Sequence, residues 1–123
     1  MIKKQFYSFK NAVNGLFWAV KTQLNFRVHL FLSSLAIVAG LVLNISQLEF
    51  LIVFILIGIG LAIELLNTSI EEAIDAIHKN WSDEIKIAKD TSAAAMLIFA
   101  VSAAIIACLI FIPRVIKLLN FNF

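Results

Sequence analysis

Three long apolar stretches, at residues 28–43, 50–66 and 93–112, constrain this chain more than any other feature. Each approaches the roughly 20 residues that an α-helix needs to cross the hydrocarbon core of a bilayer. The composition agrees, because 62% of the 123 residues are hydrophobic and only 15% are charged. A backbone that spans lipid must satisfy its hydrogen bonds internally, which favours helices over open strands. We therefore expect a single all-α integral membrane domain.

The three spanning helices are predicted at about 28–43, 49–78 and 84–112. The second extends beyond its apolar stretch because residues 64–77 contain no Gly or Pro and keep helical spacing. Asp83 and Glu84 suit the first turn of the third span, where the helix dipole favours negative charge. Pro113 lacks a backbone N–H, and we predict that it ends the third helix.

The segment before the first span, at about 4–25, is predicted to form an amphipathic surface helix. Its apolar residues repeat at helical spacing along one face: Phe6, Phe9, Val13, Leu16, Phe17, Val20 and Leu24. A basic amphipathic helix of this kind lies along an anionic leaflet. A helix packed against the bundle would show the same pattern, and we favour the surface position.

Lys and Arg are distributed unequally between the predicted loops. Five precede the first span, none lies between Asn44 and Glu49, three follow the second span (Lys79, Lys86, Lys89), and two end the chain. By the positive-inside rule, the N-terminus and the loop between the second and third spans are cytoplasmic.

Composition also excludes several classes of protein. A net charge of +2, without a dense basic patch, does not predict a nucleic-acid partner. The single cysteine, Cys108, excludes an intramolecular disulfide. The sequence contains no Gly-rich nucleotide loop, which excludes a soluble-kinase architecture.

Five polar residues share one flank of the second span: Glu64, Asn67, Glu71, Asp75 and His78. Their spacing places them within an arc of roughly 80°. Glu64 would lie about 21 Å into a core about 30 Å thick, where a carboxylate costs roughly 3 kcal/mol and usually marks function. Glu64 could instead be a protonated packing residue, and Glu71 with Asp75 could be a solvated acidic face. Their common flank favours a functional site.

The flank predicts two tasks at two depths. Glu64 and Glu71 lie about 10 Å apart along the axis, too far to bind one metal ion together. The deeper group could meet a lipid headgroup, and the shallower one could hold a metal and phosphates. Lys89 and Asp90 enter the third span at similar depth and supply a cation for phosphate, although a snorkelling lysine is a common structural alternative. No chemistry is assigned to His29, His78 or Cys108.

Three segments of the sequence resemble the signature of the bacterial diacylglycerol kinase and undecaprenol kinase family. They are Glu-Leu-Leu-Asn-Thr-Ser-Ile-Glu at 64–71, Ile-Asp at 74–75 and Ala-Lys-Asp at 88–90. The resemblance continues at Ser8-Phe9, Gly15-Leu16 and Asn25-Phe26-Arg27, and so covers nearly the whole chain. The Asn-Thr version of the motif, the Asn-Phe pair and the Ile-Pro near the C-terminus look more like the Gram-positive-type undecaprenol kinases.

The resemblance implies an ATP- and Mg²⁺-dependent lipid kinase of the bacterial inner membrane, with undecaprenol preferred over diacylglycerol as the lipid alcohol. It also implies a homotrimer with active sites shared between subunits. By position, Glu64 resembles the general base and Asn67 its polar partner in catalysis, while Glu71 resembles a magnesium ligand. Lys89, Asp90 and Asp75 would bind or organise the nucleotide phosphates.

One position departs from the family pattern. The family usually has a glutamate as second metal ligand where this chain has Gln23, whose neutral oxygen magnesium accepts less readily. We expect weakened metal affinity, and a catalytically weak or silent family member is one alternative. Another alternative is a small cation-coupled transporter that uses Glu64. A transporter predicts polar groups near the midplane of several helices, yet the first and third spans are nearly bare there.

Overall fold

The computed structural model describes residues 2–78 and 80–120, and Lys79, one of the loop cations counted above, lies outside them. The described chain forms four helices and no strand: α1 (Ile2–Thr22), α2 (Leu24–Val42), α3 (Gln47–Ile77) and α4 (Asp83–Asn120). The last three are each long and apolar enough to cross a membrane. An all-α fold with three spanning helices and an amphipathic N-terminal helix is thereby confirmed.

A single extended residue, Gln23, separates α1 from α2. The helical conformation is interrupted at Gln23, two residues before the expected end of the surface helix at about residue 25. Helix α2 starts at Leu24, whereas the first span was predicted to start at about residue 28. Phe26, which is fully buried, and Ala19, which is 1% exposed, join the two helices at this corner. Phe9 and Phe17 remain 70% and 61% exposed, an arrangement that suits a helix whose apolar face meets lipid.

A tight turn joins α2 to α3. Asn44 adopts a left-handed conformation with φ of 49°, which asparagine tolerates better than most residues. Ser46 then caps α3 reciprocally: its hydroxyl accepts from the backbone N–H of Glu49, and the Glu49 carboxylate accepts from the Ser46 backbone. Such a capping box fixes where a helix begins. The short turn lays α2 and α3 side by side.

The prediction that Pro113 ends the third spanning helix is wrong, because α4 continues through it to Asn120. Membrane helices tolerate proline where other groups stabilise the neighbouring turn. Here Arg114 donates two hydrogen bonds of 2.6 Å to the Glu49 carboxylate and a third, of 3.4 Å, to the Ile110 carbonyl. A paired guanidinium and carboxylate hold the end of α4 against the start of α3, which favours continuation of the helix.

Helix α3 packs against both α2 and α4. Near the α2–α3 turn, Ile45, Val53 and Ile110 form a buried cluster. Farther along, Gly60 lies against the Phe99 ring so closely that a Cβ on Gly60 would approach ring atoms to 2.5 Å. This close approach of α3 to α4 positions the polar half of α3 beside the beginning of α4.

Candidate functional site

Glu64 is the deepest polar residue of the site, with a side chain that is 4% exposed. Helix α3 brings it beside α2, where the Nε2 atom of His29 lies 3.8 Å from its Oε2 atom. The Glu64 carboxylate forms no hydrogen bond with any described residue, and His29 is the basic side chain that lies nearest to it. A carboxylate removed from water in this way is poised to interact with whatever polar group reaches it.

Asn67 lies one turn beyond Glu64 and is 7% exposed. Its Nδ2 atom donates a hydrogen bond of 3.1 Å to Oε1 of Glu71, which joins two members of the predicted flank. Its Oδ1 atom is buried and has no hydrogen-bond partner among the described residues. An unsatisfied buried acceptor costs roughly 1–3 kcal/mol and needs an explanation. The oxygen is placed to accept from a donor, or to coordinate a cation, supplied by a ligand.

Lys89 of α4 contacts the acidic flank of α3 at Asp75. Its Nζ atom donates a hydrogen bond of 2.6 Å to Oδ1 of Asp75, whose side chain is 63% exposed while that of Lys89 is 27% exposed. Asp90, the neighbour of Lys89, is exposed and makes no hydrogen bond or ion pair with the described residues. The shallow end of the flank is therefore open to solvent and carries a cation.

Gln23 also reaches the acidic side of α3, but at Glu72 and not at Glu71. Its Nε2 atom donates a hydrogen bond of 3.3 Å to the Glu72 Oε1 atom. Glu72 follows Glu71 directly and points about 100° away around the helix. The extended residue between α1 and α2 is thus positioned beside the carboxylates of α3, although in this chain it supplies an amide.

Two residues of this neighbourhood, His29 and Glu72, had no role in the interpretation of the sequence. Their contacts lie between helices, so the spacing along α3 could not reveal them. Counting outward from the α2–α3 turn would have placed His29 and Glu64 at similar depth, which is the one available signal. The prediction that His78 lies on the polar flank of the second span is wrong. Helix α3 ends at Ile77, so helical spacing does not extend to His78.

The donor atoms fit a magnesium ion that is bound together with a nucleotide. Among residues 2–78 and 80–120, no three His, Cys, Asp or Glu side chains are grouped to hold a metal ion. Magnesium, however, usually takes one or two protein carboxylates and completes its coordination with phosphates and water. The half-buried Glu71 carboxylate could supply one such ligand, with its orientation held by the Asn67 amide nitrogen.

This geometry occurs in a chain whose residues 10–111 match the family model of prokaryotic diacylglycerol kinase. The chain belongs to that family, which places it among the lipid kinases and confirms the resemblance drawn from its motifs. It is 36% identical over 113 residues to the undecaprenol kinase of Bacillus subtilis, with 92% of each chain covered. It is also 31% identical over 113 residues to a diacylglycerol kinase of Synechocystis, covering 91% of this chain but 65% of that protein.

Proposed function

We propose that this chain transfers the γ-phosphoryl group of ATP, in the presence of Mg²⁺, to the hydroxyl of a membrane lipid alcohol. The observation that carries the proposal is the flank of α3. Three polar groups follow one another there at helical spacing. They are the buried carboxylate of Glu64, the unpaired buried amide oxygen of Asn67 and the half-buried carboxylate of Glu71. Lys89 contributes a cation at the shallow end.

Glu64 is suited to act as the general base. Its burial within a spanning helix favours a substrate hydroxyl that is carried by a lipid over one dissolved in the cytosol. As the hydroxyl oxygen forms its bond to the γ-phosphorus, the bond from that phosphorus to the bridging oxygen of ADP breaks, and the proton passes to Glu64. A positioned base of this kind contributes about 10²- to 10⁴-fold to the rate.

The shallow end of the flank is suited to hold the nucleotide. Lys89 can release Asp75 and contact phosphate oxygens, as a compact cation does in many phosphate sites. Glu71 would hold magnesium, which would supply positive charge to neutralise the nucleotide phosphates, and Asn67 would orient the Glu71 carboxylate through its amide nitrogen. Asp75 and Asp90 would then organise the nucleotide side. Phosphoryl transfer depends mainly on such positioning and charge neutralisation.

Undecaprenol is the proposed acceptor, in preference to diacylglycerol. Support comes from the relative named undecaprenol kinase, which matches over 92% of its own length, whereas the relative named diacylglycerol kinase matches over 65%. We further propose a homotrimer with shared sites in the bacterial inner membrane, with the N-terminus and the α3–α4 loop in the cytoplasm. The family resemblance supports the trimer, and the distribution of Lys and Arg supports the orientation.

Neither alternative function is favoured. Family membership does not support a cation-coupled transporter. The alternative of a catalytically silent relative depends on the absence of a metal-binding carboxylate at position 23, which is Gln23. The other functional groups expected for the reaction are still present at Glu71, Asn67 and Lys89.

The test is phosphate transfer from γ-labelled ATP to undecaprenol and to diacylglycerol by the purified protein in detergent. We expect labelled undecaprenyl phosphate as the main product from the native chain. Glu64→Gln, which keeps the side-chain shape, should lower kcat about 10²- to 10⁴-fold. Glu84→Gln, at an exposed carboxylate of the first turn of α4, should match the native rate.

Two outcomes would contradict this account. If neither lipid alcohol is phosphorylated by folded protein, the chain is not an active kinase for either acceptor. If Glu64→Gln forms product as fast as the native chain, Glu64 is not the base.

A further inference from the structure

The Glu64 carboxylate, the deepest of the site, lies beside His29, which is not part of the family motif described above. His29 lies on α2, opposite Glu64, and its Nε2 atom is 3.8 Å from Oε2 of the carboxylate. This separation is within ion-pair range but longer than a direct hydrogen bond. Catalytic contacts are often this loose before substrate binds and tighten afterwards.

Among the described residues, His29 is the one basic side chain within 4.0 Å of the Glu64 carboxylate. On α2, Arg27 lies two residues away from His29 and so does not share its face. On α3, Glu71 is about 10 Å farther along the axis. On α4, Lys89 is paired with Asp75. A buried carboxylate is most favourable with a polar partner of this kind beside it.

The histidine has a second surface, on a cavity of about 360 Å³ between α2, α3 and α4. The remaining wall of this cavity is almost entirely aliphatic and aromatic, and Glu64 is not part of it. His29 therefore lies next to both the Glu64 carboxylate and an apolar cavity. Ser33, one turn farther along α2, lines the same cavity without contacting Glu64.

We propose that His29 is a positioning residue for the base: its imidazole, which faces the Glu64 carboxylate from α2, holds that carboxylate in the orientation that accepts the hydroxyl proton. This inference rests on the proposed kinase function and names a residue on a second helix through which the base acts. An apolar side chain at position 29 would remove the polar group that faces the carboxylate from α2, and the carboxylate would lose that constraint on its orientation.

Two variants and one matched control test the assignment. His29→Leu should lower kcat about tenfold and leave the KM for ATP unchanged, because the base loses its orientation while nucleotide binding is unaffected. His29→Gln, which can still donate a hydrogen bond to the carboxylate, should recover part of the rate. Ser33→Ala, which changes the same cavity wall, should behave as the native chain.

A second measurement does not depend on catalysis. A hydrophobic carbodiimide reacts with carboxyl groups that it can reach, and mass spectrometry reports its adduct at Glu64. We expect faster modification of Glu64 in His29→Leu than in the native chain or in Ser33→Ala, because the imidazole no longer holds the carboxylate.

The two proposals fail in different ways. If the native chain forms no lipid phosphate, the proposed function is at fault, and the carbodiimide comparison still tests the contact between His29 and Glu64. If the native chain is active but His29→Leu keeps the native kcat and the native carbodiimide reactivity, the inference about His29 is overturned. A shift in the KM for ATP without a change in kcat would overturn it as well.

Discussion

At the scale of single residues, the Asn67 side chain lies between the deep carboxylate, Glu64, and the shallower one, Glu71. Its nitrogen orients the Glu71 carboxylate, and its oxygen is left buried without a partner among the described residues. A chain selected only for stability would not keep such an atom, because an apolar side chain of the same shape avoids the desolvation cost. The unpaired oxygen therefore favours a role in binding over a role in helix packing.

Gln23 provides a test of how the chain handles magnesium. In Gln23→Glu, a carboxylate would replace the amide that now donates to Glu72, so two carboxylates would face each other near Glu71. Their repulsion is relieved by a bound cation, which should lower the Mg²⁺ concentration for half-maximal activity. Titration of activity with Mg²⁺ measures this, with Gln47→Glu, at the far end of α3, as the control. An unchanged Mg²⁺ dependence in Gln23→Glu would contradict the expectation.

Spacing along one helix was enough to predict the polar flank at this scale. Glu64, Asn67 and Glu71 follow one another three and four residues apart, and any α-helix must bring them to one side. The partners from other helices were not predictable in the same way. The contact of His29 with Glu64 depends on the rotation and depth of α2 relative to α3, and a single helical period does not determine either.

At the scale of helices, the close approach of α3 to α4 depends on one glycine. A Cβ at Gly60 would lie 2.5 Å from the Phe99 ring, whereas a Cβ at Gly58 would meet nothing within 4 Å. We expect Gly60→Ala to displace the ring and destabilise the protein by about 1–3 kcal/mol, as overpacking generally does. Gly58→Ala should be neutral or slightly stabilising because alanine favours helices. Thermal unfolding in detergent compares the two variants.

Phe99→Leu provides the internal check on this prediction. A smaller side chain opposite Gly60 should make room for the added methyl group, so Gly60→Ala should cost less in the Phe99→Leu background. Equal destabilisation by Gly58→Ala and Gly60→Ala would show that helix flexibility, and not contact with Phe99, governs the effect.

Helix ends were harder to predict than helix existence. Hydropathy identified three long helices because the bilayer requires that length. The break at Gln23 has no Gly or Pro to mark it. At Pro113 the local signal pointed to a helix end, but the ion pair between Arg114 and Glu49, far apart in sequence, stabilises the continuation. At both places a side chain contacts another helix, Gln23 at Glu72 and Arg114 at Glu49, and such contacts cannot be predicted from the local sequence.

At the scale of the whole molecule, the proposed orientation brings the site to the cytoplasmic half of the membrane, where ATP is available. Labelling of single cysteines tests it in a Cys108→Ser background. Gln47→Cys, at the start of α3, should react with a membrane-impermeant maleimide in intact cells, because the α2–α3 turn is expected outside. Asn80→Cys, between α3 and α4, should react only after the membrane is opened. The reverse pattern would contradict the orientation.

The central claim is that one flank of α3 performs two tasks, proton acceptance at Glu64 and nucleotide binding with magnesium at Glu71. Equilibrium binding of labelled Mg–ATP to the detergent-purified protein tests it most directly. We predict that Glu64→Gln binds Mg–ATP as tightly as the native chain although it forms little product. Glu71→Gln should bind Mg–ATP at least about tenfold more weakly. Equal loss of binding in both variants, or native binding by Glu71→Gln, would contradict the division of the flank into two sites.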